Sequence, residues 1–139
     1  MQKDLETIRR FFEKDKFVAL SGIEIESVTD EEAVVSAQIN ENHFNANGSV
    51  QGGMLYTIAD FAFAVIANCK HPVTVTQVGN ISYIRPGLTK KITAVAKETE
   101  RAGRTCLCEV VVKDEENKTL CIAHFNGFIK EIDENKLIK

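Results

Sequence analysis

Between Gly52 and Cys69 the chain reads Met54, Leu55, Ile58, Ala59, Phe61, Ala62, Phe63, Ala64, Val65, Ile66 and Ala67 at nearly every position. On a 3.6-residue wheel these side chains cover all sides, so a helix here must be buried all round. About 18 residues at 1.5 Å each give a rod ~27 Å long, the width of a small domain. Whatever the rest of the chain builds has to wrap that rod. The segments after it are β-patterned: Val73–Ile84, Lys91–Glu98, Thr105–Lys113 and Lys118–Ile129 are rich in Val, Thr, Ile and Phe and separated by turn residues. Arg85-Pro86-Gly87, Arg101-Ala-Gly-Arg104 and Asp114-Glu-Glu-Asn117 are the turns.

The segments before the apolar run are shorter. Residues 2–16 carry Leu5, Ile8, Phe11 and Phe12 on one stripe, which predicts an amphipathic helix, followed by an apolar connector over 17–21. Ile23–Val28 and Glu32–Ile39 read as a hairpin around Thr29-Asp30-Glu31. Residues 40–51 form a polar loop. Connections this short exclude parallel crossovers, so the expectation is an α+β domain, one antiparallel sheet curled round a central helix. With 139 residues the chain makes a single domain, 1–139, with 1–20 as the leading helix and connector and 133–139 as a loose tail.

Composition excludes several function classes. Seventeen Lys and Arg against 20 Asp and Glu leave a net charge of −3, which argues against a nucleic-acid footprint. Met1–Lys16 is charged throughout and lacks the apolar core of a secretory signal, and an uninterrupted apolar span is missing. A cytoplasmic protein with no membrane partner is therefore expected, its four cysteines reduced. Cys106 and Cys108 lie two apart on one strand face, where a regular strand cannot bridge them. The histidines and cysteines show neither C-x-x-C nor H-x-x-x-H spacing, so no metal is expected. A G-x-S-x-G elbow and a phosphate loop are also absent.

One residue conflicts with the apolar run. Asp60 sits midway along it, and an ionised carboxylate buried without partners costs several kcal/mol. Either Asp60 lies on a solvent seam or beside a strand donor, or it is a functional carboxylate tuned by a dry pocket. Gly52-Gly53 at the start of the helix favours function. The first helical N–H groups have no internal partner, and glycines let a ligand or a developing oxyanion approach them. Gly52 and Asp60 are about 12 Å apart along one helix axis, too far to act on one carbonyl. If they cooperate, they come from two subunits of a dimer with composite sites.

The run His43-Phe-Asn45-Ala-Asn-Gly48-Ser-Val-Gln51-Gly52-Gly53-Met-Leu-Tyr-Thr-Ile-Ala59-Asp60 resembles the signature of hotdog-fold acyl-CoA thioesterases of the phenylacetate-degradation (PaaI) type. The likeness extends to the leading helix, the hairpin, and Asn80-Ile-Ser-Tyr83 with Arg85-Pro86 after it. It implies a hotdog domain that hydrolyses acyl-CoA, with coenzyme A as part of the substrate and no separate cofactor. It further implies Asp60 as nucleophile or general base and the Gly52 N–H of the other subunit as oxyanion hole. Asn45 would position the thioester or water, Thr76 would help position the water, and Gly53 would line the substrate. Homodimers that pair into tetramers are implied as well. Gln51 stands where the family usually has His, and a Gln cannot hold a proton near neutral pH. That departure leaves open a non-catalytic acyl-CoA or lipid-binding module. A hydratase or dehydratase ranks below it, because that chemistry wants a His beside the carboxylate. Arg85, Arg101 and Arg104, in strand-end turns, are candidates for the phosphates of coenzyme A.

Overall fold

The computed structural model describes residues 3–130, so the expected tail over 133–139 lies outside the described residues. Two short helices open the chain, α1 (Leu5–Phe12) and α2 (Lys16–Leu20). Each is capped by an aspartate: Asp4 Oδ1 accepts from the Thr7 N–H at 2.8 Å, and Asp15 Oδ1 from the Val18 N–H at 3.1 Å. This corrects the single helix expected over 2–16 with its connector over 17–21. Asp15 takes a non-helical backbone and starts a second helix, as a short carboxylate does when it satisfies free N–H groups.

The hairpin β1 (Ile23–Val28) and β2 (Ala33–Gln38) forms as expected, and a 3-10 turn at Glu41–His43 opens the polar loop. Then come α3 (Gly52–Lys70), β3 (Thr74–Tyr83), β4 (Lys91–Ala102), β5 (Thr105–Asp114) and β6 (Thr119–Ile129). The strands make one six-stranded sheet in the order β1-β2-β4-β5-β6-β3, antiparallel throughout. β4 runs further than the expected Lys91–Glu98, and only Gly103-Arg104 turns the chain. Gly103 has φ 59°, the positive value that a two-residue hairpin turn needs.

The sheet curls round α3, which packs on β2 from the leading hairpin as well as on the four later strands. Phe63 stacks on Phe125 at 5.3 Å between centroids, and Phe61 meets Phe12 edge-on at 5.1 Å. Gly127 on β6 makes room for this packing. A Cβ there would lie 2.6 Å from Phe63 Cζ and 2.9 Å from Cys106 Sγ. The helix is not buried all round, however. Gly53, Tyr56, Thr57, Asp60 and Ala64 form a half-open stripe, because the wrap stops at β3, an edge strand whose outer side has no partner strand among the described residues.

Candidate active site

Asp60 lies on that open stripe, and Thr76 of β3 faces it. The Thr76 hydroxyl donates to Asp60 Oδ1 at 2.8 Å. Both possibilities raised by the sequence therefore meet at one residue: Asp60 is on a seam beside a strand donor, and it is still partly desolvated. Burial raises its pKa above the usual carboxylate value, the Thr76 hydrogen bond pulls the other way, and Asp15 nearby raises it further. A carboxylate so placed is a better base than a fully solvated one and remains reachable from outside the protomer.

The start of α3 is the second part of the site. Gln51 is its N-cap, and the Gln51 side-chain oxygen accepts from the Gly53 N–H. The Gln51 carbonyl accepts from Met54 and Leu55. The Gly52 N–H has no acceptor among the described residues. Of the two glycines, Gly52 thus presents a free donor at the positive end of the helix, whereas the Gly53 donor is occupied. Gln51 acts here as a helix cap through its side-chain oxygen.

Asn45 lines a hollow of about 360 Å³ together with Ser49, Gly52, Tyr83 and Arg85. Its side chain is committed to the loop: Oδ1 accepts from the N–H groups of Asn47 and Ser49, and Nδ2 donates to Ser49 Oγ at 3.0 Å. Asn45 holds the segment that leads into Gly52. His43 does related work from the interior, accepting from the Asn40 N–H through Nδ1 and donating to the Ser21 carbonyl through Nε2. Nothing in the sequence spacing pointed to Tyr83, whose hydroxyl donates to the Gly52 carbonyl at 3.0 Å across 31 positions of chain.

The three arginines separate into two groups. Arg85 follows β3 at the Gly52 end and donates to the Thr119 carbonyl at 2.6 Å. Arg101 and Arg104 lie at the β4–β5 turn, with Arg104 over the Phe128 ring at 5.9 Å. Tyr83 pairs with Cys121 and Thr105 with Phe128, and Cys121 to Phe128 is about 23 Å of strand. One coenzyme A phosphate cannot engage both groups within a single protomer.

A cluster at the other end of α3 was also illegible in the spacing. Ligand atoms of His71, Glu98 and Cys106, from three different segments, lie within 4.8 Å of one another. Glu98 already meets His71 at 2.5 Å and Lys70 at 3.0 Å. Burial alone would raise the Glu98 pKa, but the hydrogen bonds from His71 and Lys70 outweigh it and hold the carboxyl low. The cluster is balanced as an ion-pair clamp between the end of α3 and β4. His124, in contrast, is exposed and pairs with Glu109 at 3.1 Å.

Comparison with known proteins places these features in a family. The family model described as the thioesterase superfamily matches residues 47–121, more than half of the chain. Acyl-coenzyme A thioesterase PaaI of Escherichia coli K12 is 29% identical over 117 residues, which cover 84% of this chain and 82% of that one. The structure of the E. coli PaaI protein from the phenylacetic acid degradation operon superposes with a TM-score of 0.84, covering 88% of this chain and 90% of that chain at 25% identity. A hypothetical thioesterase protein of Streptococcus pneumoniae TIGR4, whose crystal structure is with coenzyme A, shares the fold with a TM-score of 0.78 at 24% identity, covering 86% of this chain and 96% of that chain. The single curled sheet round a long central helix is the hotdog fold of the PaaI structures, and the chain belongs to the thioesterase superfamily.

Proposed function

We propose that this protein hydrolyses acyl-CoA thioesters to a free acid and coenzyme A in a homodimer with two composite sites. The observation that carries the proposal is the pairing of Asp60 with Thr76 on the open stripe of α3, while the Gly52 N–H stays free at the helix start. The two lie about 12 Å apart along the helix, so one protomer holds half of each of two sites. The edge strand β3 offers a place for a second copy: among the described residues its outer ladder is unpaired, and Val75 and Val78 are exposed on it.

The thioester carbonyl oxygen lies on the Gly52 N–H of the partner subunit, which stabilises the charge that develops on it. In the general-base route, Asp60 takes a proton from a water held with the Thr76 hydroxyl. The hydroxide attacks the carbonyl carbon, and the tetrahedral intermediate expels the coenzyme A thiolate, which then takes up the proton. In the nucleophilic route, Asp60 attacks first, the thiolate leaves, and water hydrolyses the resulting anhydride. A thiolate is a good leaving group, so neither route requires a metal or a further cofactor. Arg101 and Arg104 of one subunit, with Arg85 of the other, provide cations for the coenzyme A phosphates.

Dimers of this kind can pair again through the outer face of β4, β5 and β6. Val95, Val111 and Ile122 floor a hollow of about 800 Å³ there, with Lys97, Lys113 and Glu109 round it. The four thiols are free and buried, which fits a reducing cytoplasm.

Release of free thiol from a panel of aryl and aliphatic acyl-CoAs tests the reading, with the wild type set against Asp60→Asn. Turnover by the wild type and a loss of at least a hundredfold in a still-dimeric variant is the expected result. Binding of the esters without thiol release by either protein would make this a binding module instead. Equal hydrolysis by both would make Asp60 structural.

A further inference from the structure

We propose that Tyr83 is a positioning residue that, together with Gln51, clamps the Gly52–Gly53 peptide and thereby aims the free Gly52 N–H. The inference rests on the thioesterase reading and adds a residue to its oxyanion site. The peptide between Gly52 and Gly53 is held at both polar ends. Its N–H, on Gly53, donates to the Gln51 side chain, and its carbonyl, on Gly52, accepts from the Tyr83 hydroxyl at 3.0 Å. The Tyr83 ring also lies over Gly52, 3.3–3.4 Å from where a Cβ would be, so the glycine permits the contact.

The clamp matters because of what lies next to it. The neighbouring N–H, on Gly52, is the one without an acceptor among the described residues. A donor at the first turn of a helix is free to swing unless its flanking peptides are fixed, and a hydrogen bond to an oxyanion weakens steeply as its angle opens. Here the peptide that carries the Gly52 N–H is held through its own carbonyl, on Gln51, which is bonded to Met54 and Leu55, and the following peptide is held by Gln51 and Tyr83. Tyr83 comes from the end of β3, so the edge strand that carries Thr76 near its start also braces the oxyanion donor at its end. Tyr83 is about half exposed, so its hydroxyl is not needed to satisfy a buried group.

Tyr83→Phe removes the hydroxyl and keeps the ring. With an acyl-CoA that the wild type hydrolyses, kcat should fall about tenfold, the scale of one hydrogen bond, while KM stays within about twofold. Gln51→Leu should give a loss of similar size. Because both act on one peptide, the double variant should lose clearly less than the product of the two single losses. Amide exchange read by NMR on the free protein tests the clamp without substrate: the Gly53 amide should exchange about tenfold faster in either variant. Unchanged Gly53 exchange together with unchanged kcat in Tyr83→Phe overturns the inference. So does a fall in kcat with no change in exchange, which would have Tyr83 touching substrate. If the wild type hydrolyses no acyl-CoA but Gly53 exchange responds as described, the thioesterase reading has failed while the clamp itself stands.

Discussion

Replacing Thr76 by Val is the sharpest single test of how Asp60 works. The substitution is nearly isosteric and removes only the hydroxyl that donates to Asp60 Oδ1 at 2.8 Å. Hydrogen bonds to charged groups contribute roughly 1.5–3 kcal/mol. Asp60 is only partly buried and Thr76 is exposed, so the lower end of that range applies, and about 1.4 kcal/mol corresponds to about a tenfold change in rate. The expected outcome is a kcat about tenfold lower with KM little changed. The pH dependence carries a second signature. The Thr76 hydrogen bond lowers the pKa of a carboxylate that burial has raised. Its loss should move the acid limb of kcat/KM to higher pH, since more alkaline solution is then needed to ionise Asp60. Thiol release measured between pH 4 and 9 reads both effects. If Thr76 merely fills a strand, Val will do so equally well. Unchanged kcat and an unmoved acid limb would refute the proposed partnership.

Three further outcomes follow from the same contacts. Asp60→Asn should melt above the wild type at pH 7. The raised folded pKa means that the contribution of this group to stability is present below its ordinary value of 3.8 and is lost as pH rises through the folded value. The gap should therefore close towards pH 3–4, and a variant that melts lower at pH 7 would contradict the sign. Gly127→Ala should cost about 1–3 kcal/mol in urea unfolding, because its Cβ would press on Phe63, Thr74 and Cys106; an unchanged midpoint would show that the packing there gives way freely. Val78→Lys, on the exposed edge of β3, should yield monomers in light scattering and lose activity with them. An active monomer would place both halves of the site in one subunit.

What the sequence revealed follows the reach of each signal. The central helix is plain because an unbroken apolar run of this length, with one acid in it, has to be buried as a single rod, and its expected bounds agree with α3 to within a residue. The strands are legible from β-branched residues between turns. Besides the longer β4, two local features differ from expectation. The restart of the helix at Asp15 depends on a cap, which competes with periodicity over only a few residues. The open stripe on α3 depends on where the sheet stops, which the composition of the helix does not encode. At the site, Gly52 and Asp60 announce themselves chemically. Thr76 is suggested by family likeness alone, and the Tyr83–Gly52 contact and the His71–Glu98–Cys106 cluster join residues that only the fold brings together. Asn45 shows what spacing alone does not reveal: its side chain holds its own loop while it lines the hollow beside Gly52.

The central claim is that each site takes Asp60 from one subunit and the Gly52 N–H from the other. Gly52→Pro deletes that N–H at the first helical position, which suits proline, and Gln51 already has the extended backbone that precedes proline, while the Tyr83 ring, 3.3 Å from the new Cβ, has to shift slightly. Asp60→Asn and Gly52→Pro should each be inactive alone. Subunits mixed and allowed to exchange should recover about a quarter of wild-type thiol release, since about half the dimers are then mixed and each of those carries one intact site of two. Recovery to that level would establish the composite site. No recovery, with mixed dimers demonstrated by mass spectrometry, would contradict it.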